Sequence, residues 1–146
     1  MRIDEGDEIV GLEILSPTLA NAQILTVTEK GYGKRTLIEE YRLQGRGGSG
    51  VMTIKVTDKN GPVVAVRQVV DSDQLIIASD HGKVIRTRIS EISEVGRIAQ
   101  GVRLINLEEG ESVAAVAKVD DDEGPKTPDS PESSETPPPA TPAGNA

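Results

Sequence analysis

Apolar positions along this 146-residue chain fall into short, β-branched runs separated by glycine-centred breaks. Residues 23–28, 34–39, 51–57 and 62–69 make one set of four such runs, and residues 74–79, 84–89, 102–107 and 113–119 make a second. Alternation is plainest where Met52, Ile54 and Val56 interleave with Thr53, Lys55 and Thr57, the period-two signature of a half-buried strand. Turn residues at Gly31, Gly33, Gly82 and Gly110 bound the runs and support strands throughout. Asn60-Gly61 reads as a tight type I′ hairpin turn, which needs positive φ at both positions. No run approaches the roughly 18 apolar residues of a membrane span. The opening MRIDEGDEIV lacks the apolar stretch of a secretory signal. The pattern predicts an all-β protein of the cytoplasm.

The two sets are copies of one unit. Residues 23–51 align with residues 74–102 without a gap at an offset of 51, pairing Gly31 with Gly82, Arg35 with Arg86, Thr36 with Thr87, Arg46 with Arg97 and Gly50 with Gly101. The offset then drops to 50, and Val63, Ala65, Val66 and Val69 meet Val113, Ala115, Val116 and Val119. A third, partial copy opens the chain, where residues 6–15 lie over residues 110–119. Four strands in a period near 50 are propeller-like. Two such units cannot close a ring, so the chain reads as part of a longer array: about two and a half four-stranded blades. The predicted organisation is 1–22, the end of a preceding blade and a linker; 23–70 and 71–119, two blade repeats; and 120–146, a tail.

Composition sharpens this picture. The chain has no Cys, Trp or Phe and two Tyr, so its core must be built from Ile, Val, Leu and Ala, which suits thin β layers. The formal net charge of -8 is unevenly divided: residues 1–22 and 120–146 are strongly acidic, while residues 23–107 carry 13 basic against 9 acidic groups. The last segment also holds seven of the nine prolines and cannot bury enough apolar surface to order itself, so it reads as a disordered acidic tail. A basic body flanked by acidic ends predicts a polyanionic partner and an internal competitor for it.

Residues 45–50 (GRGGSG) formally match a dinucleotide fingerprint, but a predicted strand follows where a helix is required. A phosphate loop fails as well, because Val51 and Met52 stand where Lys and Ser/Thr are needed. The loop is nevertheless suited to phosphate oxygens: its glycines let main-chain N–H groups approach closely and Arg46 supplies a charged, forked donor. Together with GYGKRT at 31–36, EYRLQGRGGSGV at 40–51 and VIRTRISEISEVGRIAQGV at 84–102, it resembles the C-terminal DNA-wrapping domain of bacterial DNA gyrase A. The likeness covers essentially residues 2–119.

The resemblance implies a β-pinwheel, a propeller-like disc whose neighbouring blades exchange strands and whose basic rim bends double-stranded DNA. It also implies as partners the other blades and N-terminal part of gyrase A, with gyrase B in the holoenzyme, and a bacterial, nucleoid-associated location. The family's box, Gln-basic-Arg-Gly-Gly-basic-Gly, is matched by Gln44, Arg46, Gly47, Gly48 and Gly50, while Gly45 and Ser49 replace its two basic positions. This is a degenerate copy, suited to a late blade. Arg35 and Arg86 share one repeat position and Arg46 and Arg97 another, with Lys34, Lys83 and Arg88 close by. The predicted DNA-binding set is therefore Lys34, Arg35, Gln44, Arg46, Gly47, Gly48, Gly50, Lys83, Arg86, Arg88 and Arg97, touching phosphates without reading bases. The alternatives are the corresponding domain of topoisomerase IV and a propeller-type protein-interaction module without a nucleic-acid role.

No catalytic group, cofactor or metal site is expected. Tyr41-Arg42 invites comparison with a cleavage tyrosine, but Tyr41 aligns with Ile92 and so reads as a packed position. Tyr32, aligned with Lys83, reads as a surface or rim contact. The single His, His81, sits in a predicted turn without a second soft ligand. One outcome follows from the charge division alone. A chain ending at Val119 should bind DNA more tightly than the full chain at low salt in a fluorescence-anisotropy titration, because the carboxylates beyond it compete for the same cations.

Overall fold

The computed structural model describes residues 2–120, so the expected disordered tail lies, apart from Asp120, outside the described residues. Seven strands run in the order β1 (Gln23–Thr28), β2 (Tyr32–Leu37), β3 (Val63–Val69), β4 (Gln74–Ser79), β5 (Val84–Arg88), β6 (Val102–Arg103) and β7 (Val113–Val119). They form two antiparallel sheets, β3-β1-β2-β6 and β5-β4-β7. The repeat is visible in the register. β1 pairs with β3 through a bulge at Val27/Thr28, and β4 pairs with β7 through a bulge at Ala78/Ser79. Leu25 and Val27 of the first sheet and Leu75, Ile77 and Val113 of the second meet in a single core, joined by Ile89, Ile92 and Ile105 from the connections.

Neighbouring repeats exchange a strand. β6 belongs to the second repeat in sequence, yet it lies on β2 of the first, with Tyr32 opposite Arg103 and Gly33 opposite Val102. The approach to β6 is also held on the β2 edge. Arg35 N–H donates to the Ser93 carbonyl (3.0 Å), and Val95 N–H donates to the Arg35 carbonyl (2.9 Å). Glycine is needed where the backbones touch. Gly31 has φ +79°, and a Cβ there would fall 2.8 Å from the Ile105 carbonyl oxygen.

Several expectations differ from what is observed. Gly33, read as a turn residue, lies inside β2 opposite Val27, and the strand expected over 34–39 ends at Leu37, where Ile38–Glu40 make a 3-10 turn. Residues 51–57 form no strand. They are the repeat equivalent of β6, but the described residues contain no preceding β2-like edge to receive them. Residues 104–107 leave the ladder after two pairs, because the N–H groups of Leu104 and Ile105 converge on one acceptor, the Gly31 carbonyl (2.8 and 3.3 Å). Asn60-Gly61 is not a type I′ turn: only Gly61 has positive φ. The buried Asn60 side chain instead organises the loop, accepting from Thr57 N–H (2.7 Å) and donating to the carbonyls of Lys55 (2.9 Å) and Gln100 (3.1 Å). Residues 6–15, the partial repeat copy, likewise form no strand and leave Ile9, Leu12 and Ile14 exposed; no β4-like strand pairs with them among the described residues.

The β4–β5 turn is fixed by Glu111, which precedes β7. Its buried carboxylate accepts from Ser79 Oγ, from Glu108 N–H (2.8 Å) and from Lys83 Nζ (3.2 Å). These donors, Ser79 foremost, hold its pKa down at about 2. A carboxylate depressed in the folded state contributes stability that is present above its ordinary value near 4.5 and lost as pH falls toward 2. Urea titrations across that window should show the wild-type chain losing stability faster than Glu111→Gln. Parallel pH profiles for the two would show that Glu111 does not carry the effect.

Candidate nucleic-acid interface

The eleven residues singled out in the sequence divide into those that hold the exchanged segment and those that face solvent. Lys34 and Arg35 belong to the first group, and this changes the expectation that they line a rim. Lys34 is buried, and its ammonium donates to the carbonyls of Gly96 (2.5 Å) and Arg97 (2.6 Å). Arg35 is 8 % exposed. Its guanidinium donates to the Ile92 carbonyl (2.6 Å), to Gln23 Oε1 (2.8 Å), to the Ser90 carbonyl and to Asp71. Both are main-chain clamps on the second repeat. The strand pattern shows a cation there but not the segment that covers it.

The remaining cations lie nearer to solvent. Arg46 and Arg88 are exposed and make no hydrogen bond or ion pair among the described residues. Arg86 is exposed and donates to Gln74 Oε1 (2.6 Å). Lys83 reaches the Asn106 carbonyl (2.6 Å) and Glu111, so its charge is partly matched. Arg97 donates to the Met52 carbonyl (3.0 Å), which ties the two equivalent loops together. In the loop itself, Gln44, Arg46 and Gly47 are exposed and Gly48 and Gly50 half-buried. Gly47 and Gly50 have φ of +78° and +85°, conformations that a side chain would strain.

Sequence reasoning missed a second basic group. The ring of Tyr32 is buried beneath Lys59 Nζ (5.4 Å from the ring centre) and the Arg103 guanidinium (5.5 Å), and Arg103 also donates to the Tyr32 hydroxyl (2.9 Å). Tyr32 is therefore no free rim contact, and the Arg103 hydrogen bond lowers its pKa. With Lys30 and Glu108, Glu109 and Glu111, these residues line a cleft of about 420 Å³. Its mixed charge is poorly suited to a phosphate. Tyr41 is half-buried, with its hydroxyl 2.5 Å from Thr53 Oγ1. Among the described residues no cluster of three or more His, Asp or Glu could hold a metal, and no helix is long and apolar enough to cross a membrane.

Residues 1–16, 22–69 and 73–120 match the family described as the DNA gyrase C-terminal domain, beta-propeller. DNA gyrase A of Escherichia coli is 46 % identical over 92 residues, 63 % of this chain and 10 % of that protein. DNA gyrase A of Thermotoga maritima is 42 % identical over 92 residues, 63 % of this chain and 11 % of that protein. The chain thus spans about a tenth of the length of the curated relatives it matches. A solved DNA gyrase A C-terminal domain superposes with a TM-score of 0.63 at 32 % identity, covering 66 % of this chain and 33 % of that one. The C-terminal domain of DNA topoisomerase IV superposes with a TM-score of 0.74 over 82 % of this chain and 37 % of that one; at 21 % identity it bears on the fold alone.

Lys34 gives the clamp a pH signature. Burial, opposed by Glu40 and aided by Arg97, pushes its pKa down to about 8. Between about 8 and the ordinary 10.5 the unfolded chain holds a proton that the folded chain has released, so stability rises with pH across that window. Denaturant titrations at stepped pH should show wild type gaining on Lys34→Met as pH climbs through this range. A constant difference between them would show that Lys34 is not perturbed.

Proposed function

Because the chain belongs to the DNA gyrase C-terminal domain family, with two antiparallel sheets as pinwheel blades, we propose that it binds and helps to wrap double-stranded DNA without sequence preference. Residues 23–70 and 71–119 would act as two blades, and residues 1–22 as the lead from a preceding one. The observation that carries the reading is the division of labour among its cations. Lys34 and Arg35 hold the main chain of residues 90–97, while Arg46 and Arg88 stay unpaired on the surface among the described residues. Arg46, Lys83, Arg88 and Arg97, with Gln44 and the main chain at Gly47, Gly48 and Gly50, are the proposed phosphate contacts. Arg86 is set apart, since it occupies the repeat position of the buried Arg35.

Identities of 42–46 % to gyrase A support gyrase over topoisomerase IV as the parent assembly. In that setting the chain would supply no catalytic group. Wrapping would present a DNA segment for ATP-driven strand passage, with cleavage chemistry in the N-terminal part of gyrase A and ATP hydrolysis in gyrase B, in the bacterial cytoplasm.

The test is the salt dependence of binding to a duplex of arbitrary sequence. Each phosphate neutralised adds about 0.9 to the slope of log affinity against log salt. Replacing Arg46, Arg88 and Arg97 together by Ala should flatten the slope by about that amount for each true contact. Unchanged affinity and slope would favour a protein-interaction module instead.

A further inference from the structure

β5 is the repeat equivalent of β2, but the two strands differ in one respect. β2 lies between β1 and β6, whereas among the described residues β5 has β4 as its sole neighbour in the sheet. Ser79 N–H bonds to the Lys83 carbonyl across the β4–β5 pair (2.8 Å). The alternation of an antiparallel ladder therefore turns the main-chain groups of Val84 and Arg86 toward the open side. Their counterparts on β2 are satisfied there: Gly33 pairs with Val102, and Arg35 exchanges hydrogen bonds with Ser93 and Val95.

The same chain carries the matching insert. Residues 51–57 have a strand pattern and the repeat position of β6, but form no strand. Thr53 is tied to Thr26 and Tyr41 beside the first sheet, not to β5 of the second. We propose that the β5 edge of one copy receives residues 42–54 of a second copy, linking chains head to tail by the exchange that joins the two repeats within one chain.

Three features show that edge and insert fit. Gly101 enters the observed exchange with φ +82°, so close that a Cβ would fall 2.7 Å from the Gly33 carbonyl oxygen; Gly50 already holds φ +85° and has no Cβ. The sizes also compensate. In the observed exchange Leu104 packs directly over Gly33, where a Cβ would collide with its side chain. In the proposed one the counterparts are Thr53 and Val84, a smaller residue over a larger one, and Val84 stands 63 % exposed as the edge now is. Finally, Arg86 is held beside the edge by the repeat-equivalent glutamine. Its Nε donates to Gln74 Oε1 (2.6 Å), where an Arg35 terminal Nη donates to Gln23 Oε1 (2.8 Å), and among the described residues both Arg86 terminal nitrogens are left for incoming acceptors. The carbonyls that complete the Arg35 fork come from Ser90 and Ile92, whose counterparts in an incoming copy are Glu39 and Tyr41. The contact is heterologous, so copies keep adding until a ring closes or a filament forms.

Sedimentation velocity of the full chain over a broad concentration range tests this. Mass should rise with concentration beyond that of one chain. Val84→Pro removes an N–H on the open side and spares the β4–β5 ladder, and should weaken association at least about tenfold. Val51→Pro, which disables the insert, should do the same. Mixed in equal amounts, the two variants should form dimers and stop there, since one keeps a working insert and the other a working edge. Circular dichroism confirms that each is folded, and Val84→Lys replaces Val84→Pro if the proline is not tolerated. A chain that stays monomeric, a Val84 variant that associates as wild type does, or a mixture that fails to pair would each overturn the proposal.

Discussion

The structure depends on a charge placed where a strand edge meets its neighbour's main chain. Arg35 lies at that edge, and its guanidinium joins Gln23 and Asp71 to the Ser90 and Ile92 carbonyl oxygens of the following repeat. Its ion pair with Asp71 contributes little, because that carboxylate is 69 % exposed and such pairs are worth about 0–1 kcal/mol. Hydrogen bonds from a charged donor to buried acceptors are worth more, about 1.5–3 kcal/mol each. Lys34 repeats the device one residue earlier on the carbonyls of Gly96 and Arg97. The connection between strands is thereby fastened by its backbone, and its sequence is left free to vary.

Two consequences follow for the whole chain. The repeats share one core, with Ile89, Ile92 and Ile105 packed among the inward residues of both sheets, so each buries part of its apolar surface against the other. The basic residues also serve two purposes in sequence-equivalent places. A cation covered by the next segment locks the array together, and one left uncovered is available to a polyanion. The same residue type at one repeat position can therefore hold structure in one blade and face solvent in the next, as Arg35 and Arg86 do.

How much of this could be read from the sequence depends on what each element needs. β1, β4 and β7 fall where their alternation places them, because each forms ladders inside its own repeat. Residues 51–57 carry as good a strand pattern and form none, because a strand also needs an edge, and pattern says nothing of where the edge is. Asn60-Gly61 looks like a hairpin turn, but the Asn60 side chain finds partners in Lys55 and Gln100, the latter 40 residues away. At the interface, repeat alignment finds the cations and the family resemblance gives them a rim. Neither could show that Lys34 and Arg35 turn inward, since the covering segment arrives from about 60 residues downstream.

The two tyrosines bear on how this chain can be observed. With no Trp or Phe present they are its entire aromatic signal, and the fold has put them at different joints. Tyr32 sits under an arginine delivered by the second repeat, and Tyr41 touches the segment that has not found a sheet. Parting of the repeats would disturb the first ring, and capture of the loose segment the second. The protein thus carries two native optical probes, one for the closed joint and one for the open one.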